Sequence, residues 1–180
     1  MNIQPLFSTP ERERIMEHLL EHPSEEISMN ALARKLRVSP GLVHKHVSLL
    51  RKNGLVRGRK LLDTPLVRAL RVVDNLRRVE EAALPNILRK HLAAAKGFGM
   101  YGSWSNGSNS ETADLDIWVK LEKEPKDSEL AALRKRLEGA LGVSVDVLIA
   151  TPDRLEHLRA KSESLYYSLY NSILLWGEPL

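Results

Sequence analysis

Apolar residues in the first half of the chain recur three and four positions apart, which predicts amphipathic helices. Three such helices are predicted to begin near Ser8, Ser28 and Pro40, because a hydroxyl cap or a first-turn proline is typical of a helix start. The third helix is predicted to end at Gly54, a residue type favoured just after a helix. Short apolar runs then flank Gly58 and predict a small hairpin.

Helical spacing continues beyond the hairpin and predicts a connector over residues 64–96, with Pro85 breaking it into two helices. Residues 97–180 predict the order strand, strand, helix, strand, helix, strand, which is typical of a mixed sheet with flanking helices. The sequence therefore predicts an α+β fold with a domain at residues 1–63, a helical connector at 64–96 and a second domain at 97–180.

The composition is that of an ordinary globular protein, with 43% hydrophobic and 28% charged residues. The chain has no cysteine, which excludes disulfides and thiolate metal sites. Because no run of about 18 apolar residues is present, no membrane span is predicted. The first residues also lack the apolar core of a signal peptide, so a cytoplasmic location is expected.

The charge is distributed unevenly and distinguishes the two halves of the chain. Residues 1–96 hold 18 Lys and Arg against 10 Asp and Glu, whereas residues 97–180 hold 9 against 13. Between Ile27 and Leu62 there are nine basic residues and no acidic one. A stretch of one sign is typical of a surface that binds a polyphosphate, which favours a nucleic-acid partner for the first domain.

The order helix, helix, turn, helix, hairpin over residues 7–63 resembles the winged helix-turn-helix family. The hairpin follows a Gly-Leu-Val step at residues 54–56, as it does in small regulators of that family. The resemblance implies that the third helix enters the major groove of double-stranded DNA and that the hairpin contacts its backbone or minor groove. RNA is the main competing ligand. The DNA contacts implied by the resemblance are Ser39, Gly41, His44, Lys45, Ser48, Arg51, Arg57, Arg59 and Lys60.

Three carboxylates carry the candidate chemistry of the second domain. Asp114 and Asp116 are separated by one residue, and side chains on a strand alternate faces, so both are predicted to point the same way. Asp146 lies thirty residues further on in an apolar run that predicts another strand. Two or three carboxylates that converge on one point form a site of the kind that suits Mg²⁺.

A turn rich in glycine and serine precedes these acids. Gly102 and Ser103 follow a predicted strand, and Asn106 and Gly107 belong to the loop after it. Glycine allows the backbone to approach a phosphate, and successive backbone N–H groups can bind an anion. This turn is therefore predicted to bind a nucleotide phosphate. Trp104 lies next to the turn and is predicted either to stack on a base or to pack as a lid or core residue.

Gly-Ser, Asp-x-Asp and a third acid on a later strand together resemble the nucleotidyltransferases of the DNA polymerase beta-like superfamily, most closely its minimal form. The resemblance covers residues 97–180. It implies that Asp114, Asp116 and Asp146 hold two Mg²⁺ ions and that the third acid helps to activate an acceptor hydroxyl. It also implies a nucleoside triphosphate substrate, and ATP is the nucleotide expected first. Asn106 stands where the family often has an arginine, which leaves the triphosphate charge less neutralised.

Three functions follow from these features. The first is a DNA-binding nucleotidyltransferase that modifies a nucleic-acid end or a protein, in an antitoxin-like setting with a protein acceptor or toxin partner. The second is a transcriptional regulator whose second domain only senses nucleotide. The third and weakest is an assembly scaffold. Residues 64–96 are predicted either to pack within the chain or to form a homodimer interface.

The sequence has two closely spaced pairs of histidines that are candidate metal ligands. His44 and His46 are two positions apart on a helix and point to different sides, so they are not predicted to share a metal. His18 and His22 are four positions apart and could share one. No third ligand is evident beside them in the sequence, so a solvated helix face is predicted instead.

Overall fold

The computed structural model describes residues 6–180. The chain forms two compact units whose boundary in sequence lies between Asp74 and Asn75. This boundary falls inside the predicted connector, and the division into 1–63, 64–96 and 97–180 stays a prediction.

The first unit contains three helices, a two-stranded hairpin and the beginning of a long helix. Its elements are α1 (Pro10–Glu21), α2 (Met29–Leu36), α3 (Pro40–Lys52), β1 (Val56–Arg57), β2 (Lys60–Leu61) and α4 (Pro65–Glu81). The side chains of Thr9 and Ser39 accept hydrogen bonds from the first-turn amides of α1 and α3, and a proline follows each cap. The three predicted helix starts are confirmed, those of α1 and α3 with a side-chain cap and that of α2 after Ser28 without one.

Apolar residues from all three helices and the hairpin form one core in this unit. Its fully buried members include Ile15, Val43, Val47 and Leu50, and β1 contributes Val56. These positions follow the helical spacing that predicted them. His44 and Lys45 of α3 remain exposed, which leaves one side of this helix available to a partner.

The second unit holds the remaining helices and a four-stranded sheet. After α4 come α5 (Leu84–His91), β3 (Gly97–Tyr101), α6 (Gly102–Asn106), β4 (Leu115–Lys120), α7 (Asp127–Leu141), β5 (Val145–Ala150), α8 (Pro152–Lys161), α9 (Glu163–Tyr170) and β6 (Ile173–Gly177). The strand order is β5-β4-β3-β6. Strand β4 runs parallel to β5 and antiparallel to β3, and β3 runs antiparallel to β6. The predicted α+β architecture with a small mixed sheet is confirmed.

Alternate residues of the central strands pack into two different cores. Leu115 and Ile117 of β4 belong to the core that α5 and α7 cover. Trp118 of β4 and Leu148 of β5 belong to the core that α8 and α9 cover. Because side chains alternate along a strand, Asp116 faces the same side of the sheet as Trp118.

One local prediction about this unit was wrong. Residues 102–106 were predicted to form a turn and loop, but they form the short helix α6. The predicted division of the connector into two helices at Pro85 is confirmed, and Pro85 lies in the first turn of α5, where its missing N–H costs no hydrogen bond. The preceding helix ends earlier, and Ala83 takes up the left-handed conformation with φ 52°. No helix among residues 6–180 is long and apolar enough to cross a membrane.

Candidate active site

Asp116 and Asp146 lie side by side on adjacent strands. In the parallel pairing of β4 with β5, Asp116 is in register with Asp146, and each follows a buried residue of the opposite face. The two carboxylates therefore project from the same face of the sheet. Residues far apart in the sequence thus meet through strand pairing, as the candidate metal site requires.

Asp114 completes this group of acids from just outside the strand. Strand β4 begins at Leu115, so the first carboxylate precedes the strand instead of belonging to it, and it is exposed. Partial burial raises the pKa of Asp116 above its ordinary value, and the negative charges of Asp146 and Asp114 raise it further. Three acids close enough to disturb one another in this way form a strongly negative site.

Tyr101 lies beside the acids at the end of β3. It is in register with Asp116 across the antiparallel pair and is almost fully buried. Burial raises the pKa of its hydroxyl, and the nearby charges of Asp116 and Asp146 raise it further. The tyrosine therefore stays neutral and forms one side of the acidic site.

The turn after β3 brings the backbone against the acids. Gly102 has φ +68°, a left-handed conformation that favours glycine. A Cβ atom at this position would overlap the carboxylate of Asp116. Only glycine satisfies both conditions, so the backbone of α6 begins in direct contact with a candidate metal ligand.

The remaining residues of the predicted phosphate turn form the end of α6. Gly107 ends the helix in the left-handed conformation, with φ 72°, and its N–H donates to the carbonyl of Ser103. Asn106 uses its side-chain oxygen to accept from the amide of Ser108 at 2.9 Å. The structure thus brings Ser103, Asn106 and Gly107 into one tight turn. The Asn106 side chain stabilises that turn.

The sequence did not indicate Asn75, a residue of α4 whose side chain holds the turn after β3 in place. Its side chain is 3% exposed and donates to the carbonyl of Trp104 at 2.9 Å and to the side-chain oxygen of Asn109 at 3.0 Å. A buried amide that satisfies a backbone carbonyl holds that backbone firmly. No sequence signal indicates this residue, because an asparagine within a helix is usually a solvated surface position.

Trp104 packs in the core, which excludes base stacking in this conformation. It is 1% exposed, and its indole N–H donates to the carbonyl of Ala113 at 3.2 Å. The guanidinium of Arg78 lies 4.7 Å from the ring centre. Of the roles predicted for this tryptophan, packing is the one that the structure supports. It ties α6 to the segment that carries Asp114.

A second residue that sequence reasoning missed is Arg134 of α7. It reaches the edge strand β5, where it donates to the Asp146 carboxylate at 3.2 Å and to the carbonyl of Val147 at 3.3 Å. A fixed cation beside the third acid holds one of its oxygens in place. The pair is partly exposed, so its contribution is orientation more than stability.

The donor set fits Mg²⁺. Three carboxylates offer hard oxygen ligands close to one another, and the charges of Asp146 and Asp114 add to the effect of burial in raising the pKa of Asp116. Asp114, Asp116 and Asp146 are the residues that could hold the ion.

The predicted DNA-contact residues of α3 lie on one exposed side of that helix. Gly41, His44 and Lys45 are exposed and Ser48 is half-buried, while Val47 between them is in the core. The hydroxyl of Ser39 accepts from the first-turn amide of Leu42 at 3.2 Å, so it caps the helix. The positions that the winged-helix resemblance indicates therefore form a continuous surface.

The basic residues of the predicted surface differ in how they are held. Arg51 donates twice to the carbonyl of Gly58, at 3.2 and 2.8 Å, and so braces the hairpin turn. Arg59 donates to the carbonyl of Ile27 at 3.2 Å, and its guanidinium lies 3.6 Å from the Glu26 carboxylate. These two side chains are therefore anchored in the fold.

Arg57 and Lys60 lie on the exposed outer side of the same hairpin. Both side chains are therefore available for the wing contacts that the winged-helix resemblance implies, and these contacts stay a prediction.

His46 lies on the opposite side of α3 from the exposed positions. It is fully buried, and neither ring nitrogen has a hydrogen-bond partner. Burial, together with the smaller effect of the Arg12 charge, lowers the pKa of His46 to about 4. The histidine is therefore neutral and acts as a core residue, which agrees with its exclusion as a metal partner of His44.

Comparison with known proteins identifies both units. Residues 83–171 match the family model of the nucleotidyltransferase domain. A candidate protein adenylyltransferase of Methanocaldococcus jannaschii, MJ1215, is 31% identical over 71 residues, which are 36% of this chain and 83% of that protein. The chain belongs to the nucleotidyltransferase domain family. A second candidate protein adenylyltransferase of the same organism, MJ0435, is 34% identical over 41% of this chain and 76% of its own length.

The first unit matches a different family. Residues 12–57 match the family model of winged helix-turn-helix DNA-binding domains. The predicted fusion of a winged helix to a nucleotidyltransferase domain is therefore confirmed. Among solved structures, a toxin–antitoxin complex with AMP-PNP shares 24% identity and covers 54% of this chain and 73% of its own, with a TM-score of 0.44.

Proposed function

We propose that this nucleotidyltransferase transfers a nucleoside monophosphate from a nucleoside triphosphate to a hydroxyl group, with ATP as the expected donor. The observation that carries the proposal is the register of Asp116 and Asp146 on adjacent strands, beside Gly102, where any added side chain would be strained and would overlap the Asp116 carboxylate. Acids that can hold Mg²⁺ beside a turn predicted to bind phosphate suit the transfer of a negatively charged nucleotidyl group.

The proposed chemistry uses the three acids in two roles. Asp114, Asp116 and Asp146 would hold Mg²⁺, which when bound stabilises charge on the phosphate and lowers the pKa of the acceptor hydroxyl. The acceptor oxygen bonds to the α-phosphorus while the bond to the pyrophosphate oxygen breaks, and pyrophosphate leaves with the electron pair. Asp146 accepts the hydroxyl proton as general base. Arg134 orients this carboxylate from the edge of the sheet.

A protein side chain is the acceptor that we favour. The relatives that share 31% and 34% identity with this chain are both named as candidate protein adenylyltransferases. The acceptor would then be a serine, threonine or tyrosine hydroxyl of a protein partner, in keeping with the antitoxin-like setting inferred from the sequence.

We also propose that the first unit binds double-stranded DNA through α3 and the hairpin. Lys45 and Arg57 are exposed, and the sequence from Ile27 to Leu62 that contains them has nine basic residues and no acidic one, which supports this role. The transferase would then act while bound to DNA. Residues 64–96 were predicted either to pack within the chain or to form a homodimer interface, and Val73 in this segment is 64% exposed, which favours the second alternative.

Calorimetric titration tests the nucleotide site without knowledge of the acceptor. ATP, GTP, CTP and UTP are titrated with and without Mg²⁺ into the full chain and into the Asp114→Asn, Asp116→Asn double variant. We expect Mg²⁺-dependent binding of at least one nucleotide and its loss in the double variant. Binding that survives the double substitution, or no binding at all, would contradict the proposal.

Transfer is measured separately with labelled ATP and a protein extract as the source of acceptors. Label in the α-phosphate should become protein-bound and label in the γ-phosphate should not, and the double variant should transfer neither. This pattern distinguishes nucleotidyl transfer from phosphorylation, because only the α-phosphorus is attacked.

The second candidate function is a regulator whose nucleotidyltransferase domain only senses nucleotide. The absence of any basic residue between Gly102 and Asn109 favours it, because the triphosphate would be less neutralised. Nucleotide binding without transfer of the α-label, combined with a change in DNA affinity on addition of nucleotide, would identify this function.

A further inference from the structure

The end of α1 brings together three metal-ligating side chains that the proposed active site does not use. His18 and His22 lie one helical turn apart, and Pro23 follows the helix directly. The backbone N–H of Glu25 then donates to the carbonyl of His22 at 3.1 Å. This tight turn folds Glu25 back onto the histidine pair and supplies the third ligand that the sequence does not reveal.

The distances among the three side chains suit a single ion. Nε2 of His18 lies 3.2 Å from Oε2 of Glu25, and the two imidazole centres are 4.4 Å apart. One ligand atom from each residue lies within 4.8 Å of the others. Ligand atoms around tetrahedral zinc are roughly 3.4 Å apart, since the bonds are about 2.0–2.2 Å long. Small side-chain rotations would therefore close the three ligands on one ion.

One side of this group of three residues is buried, and the other side is open to solvent. His18 is 6% exposed, which fixes its ring in the core of the first unit. His22 is half-buried and Glu25 is exposed, so solvent reaches one side of the group. A three-ligand site that is open on one side leaves a fourth position for water. Lys35 on α2 lies 3.8 Å from Oε2 of Glu25 and is the cation that a metal would displace.

We propose that His18, His22 and Glu25 form a binding site for a divalent transition metal of the zinc type. Two imidazoles and one carboxylate suit Zn²⁺, Ni²⁺ or Cu²⁺, whereas Mg²⁺ prefers oxygen ligands alone. The site is therefore chemically distinct from the acidic site of the second unit. It joins the end of α1 to the turn before α2, and the adjoining residue Ile27 hydrogen-bonds the hairpin through the carbonyl of Arg59.

The test uses the full chain without an affinity tag, stripped with a chelator and kept in millimolar Mg²⁺. Zn²⁺ is titrated in competition with a fluorescent zinc indicator. We expect one ion per chain and an affinity that falls at least about 10-fold in His22→Gln and in Glu25→Gln. Both substituted side chains reach solvent, so the variants should fold, and thermal unfolding without metal checks this.

Two controls keep the result specific. His157→Gln removes an exposed histidine of α8 and should leave zinc affinity unchanged. The Asp114→Asn, Asp116→Asn variant should also keep it, which separates this site from the proposed active site. Zinc binding that survives both His22→Gln and Glu25→Gln, or that disappears only in the aspartate variant, would overturn the proposal. Zinc affinity weaker than micromolar would overturn it as well.

Discussion

The two units bury ionisable groups for opposite reasons. In the winged-helix unit, His46 is buried without a hydrogen-bond partner and is held neutral in the core. In the nucleotidyltransferase unit, Asp116 is only partly buried and is crowded by two other acids. The first arrangement lowers stability at acid pH and provides no site. The second lowers stability at neutral pH but leaves a negative site that a bound cation could neutralise. Of the two stability costs, only the one at Asp116 is therefore associated with a candidate functional site.

Two glycines with a left-handed backbone conformation, one in each unit, also differ in whether they serve a candidate site. Gly58 in the hairpin has φ +59° and open space around its missing side chain. Gly102 has φ +68° and the Asp116 carboxylate against it. The first glycine serves only the backbone turn, whereas the second serves the backbone and the site together.

The largest expected effect is that of Gly102→Ala. The added methyl group would push the Asp116 carboxylate away from the other acids, so nucleotide affinity measured by calorimetry should fall at least about 100-fold. Gly58→Ala is the matched control in the other unit. It should cost about 1 kcal/mol of unfolding free energy and leave nucleotide binding intact. If the two variants had equal nucleotide affinity, Gly102 would have no role in nucleotide binding beyond that of Gly58.

The next largest effect concerns His46 and pH. The pKa of His46 is lowered from its ordinary value of 6.5 to about 4, so the unfolded chain binds more protons between these values. The unfolding free energy of the first unit should therefore be steady above pH 6.5, fall by about 3 kcal/mol as the pH drops to 4, and then level off.

Urea unfolding between pH 4 and 8 measures this effect. His46→Leu should remove the part of the pH dependence that His46 contributes, whereas His44→Gln on the exposed side of α3 should retain it. Burial also lowers the pKa of His18 in the same unit, so a smaller acid sensitivity should remain in His46→Leu. An unchanged pH dependence in His46→Leu would assign the acid sensitivity to other groups.

A smaller effect separates two kinds of basic residue on the winged helix. Lys45 is exposed and makes no contact that the fold needs, so Lys45→Ala should weaken DNA binding about 5- to 10-fold and lower the salt slope by about one. Arg59 donates to the carbonyl of Ile27, so Arg59→Ala should cost about 1 kcal/mol of unfolding free energy.

Fluorescence anisotropy with duplex DNA at several salt concentrations checks the first expectation, and chemical unfolding checks the second. A salt slope that is unaffected by Lys45→Ala would remove α3 from the proposed DNA surface.

The smallest expected effect is a gain in stability from Asp116→Asn. Burial and the neighbouring charges raise the pKa of Asp116, so its charged form costs stability as the pH rises through that pKa. Removing the charge should raise the melting temperature of the nucleotide-free protein by a few degrees at neutral pH. The exposed carboxylate of Asp153 in α8 provides the control, because Asp153→Asn should give no such gain. A lower melting temperature for Asp116→Asn would show that the acid stabilises the fold.

Much of the site was predictable because its signals are local. The acids separated by one residue, the glycine after a strand and the capped helix starts each depend on neighbours within a few positions, where spacing and stereochemistry decide the structure. The pairing of Asp146 with the other acids could be expected from the family resemblance. The assignment of metal and nucleotide to these residues stays a prediction until binding is measured.

The sequence by itself determined the two kinds of domain, the helix starts and the identity of the acids, because periodicity and capping act over short distances. Only the tertiary structure decided which residues from distant segments meet. Asn75 contacts Trp104 and Arg134 contacts Asp146 through long-range packing. Glu25 contacts His18 through a turn, and the spacing of residues in the sequence does not specify the direction of that turn. It also decided that Trp104 is buried, since burial depends on what the rest of the chain places around a residue.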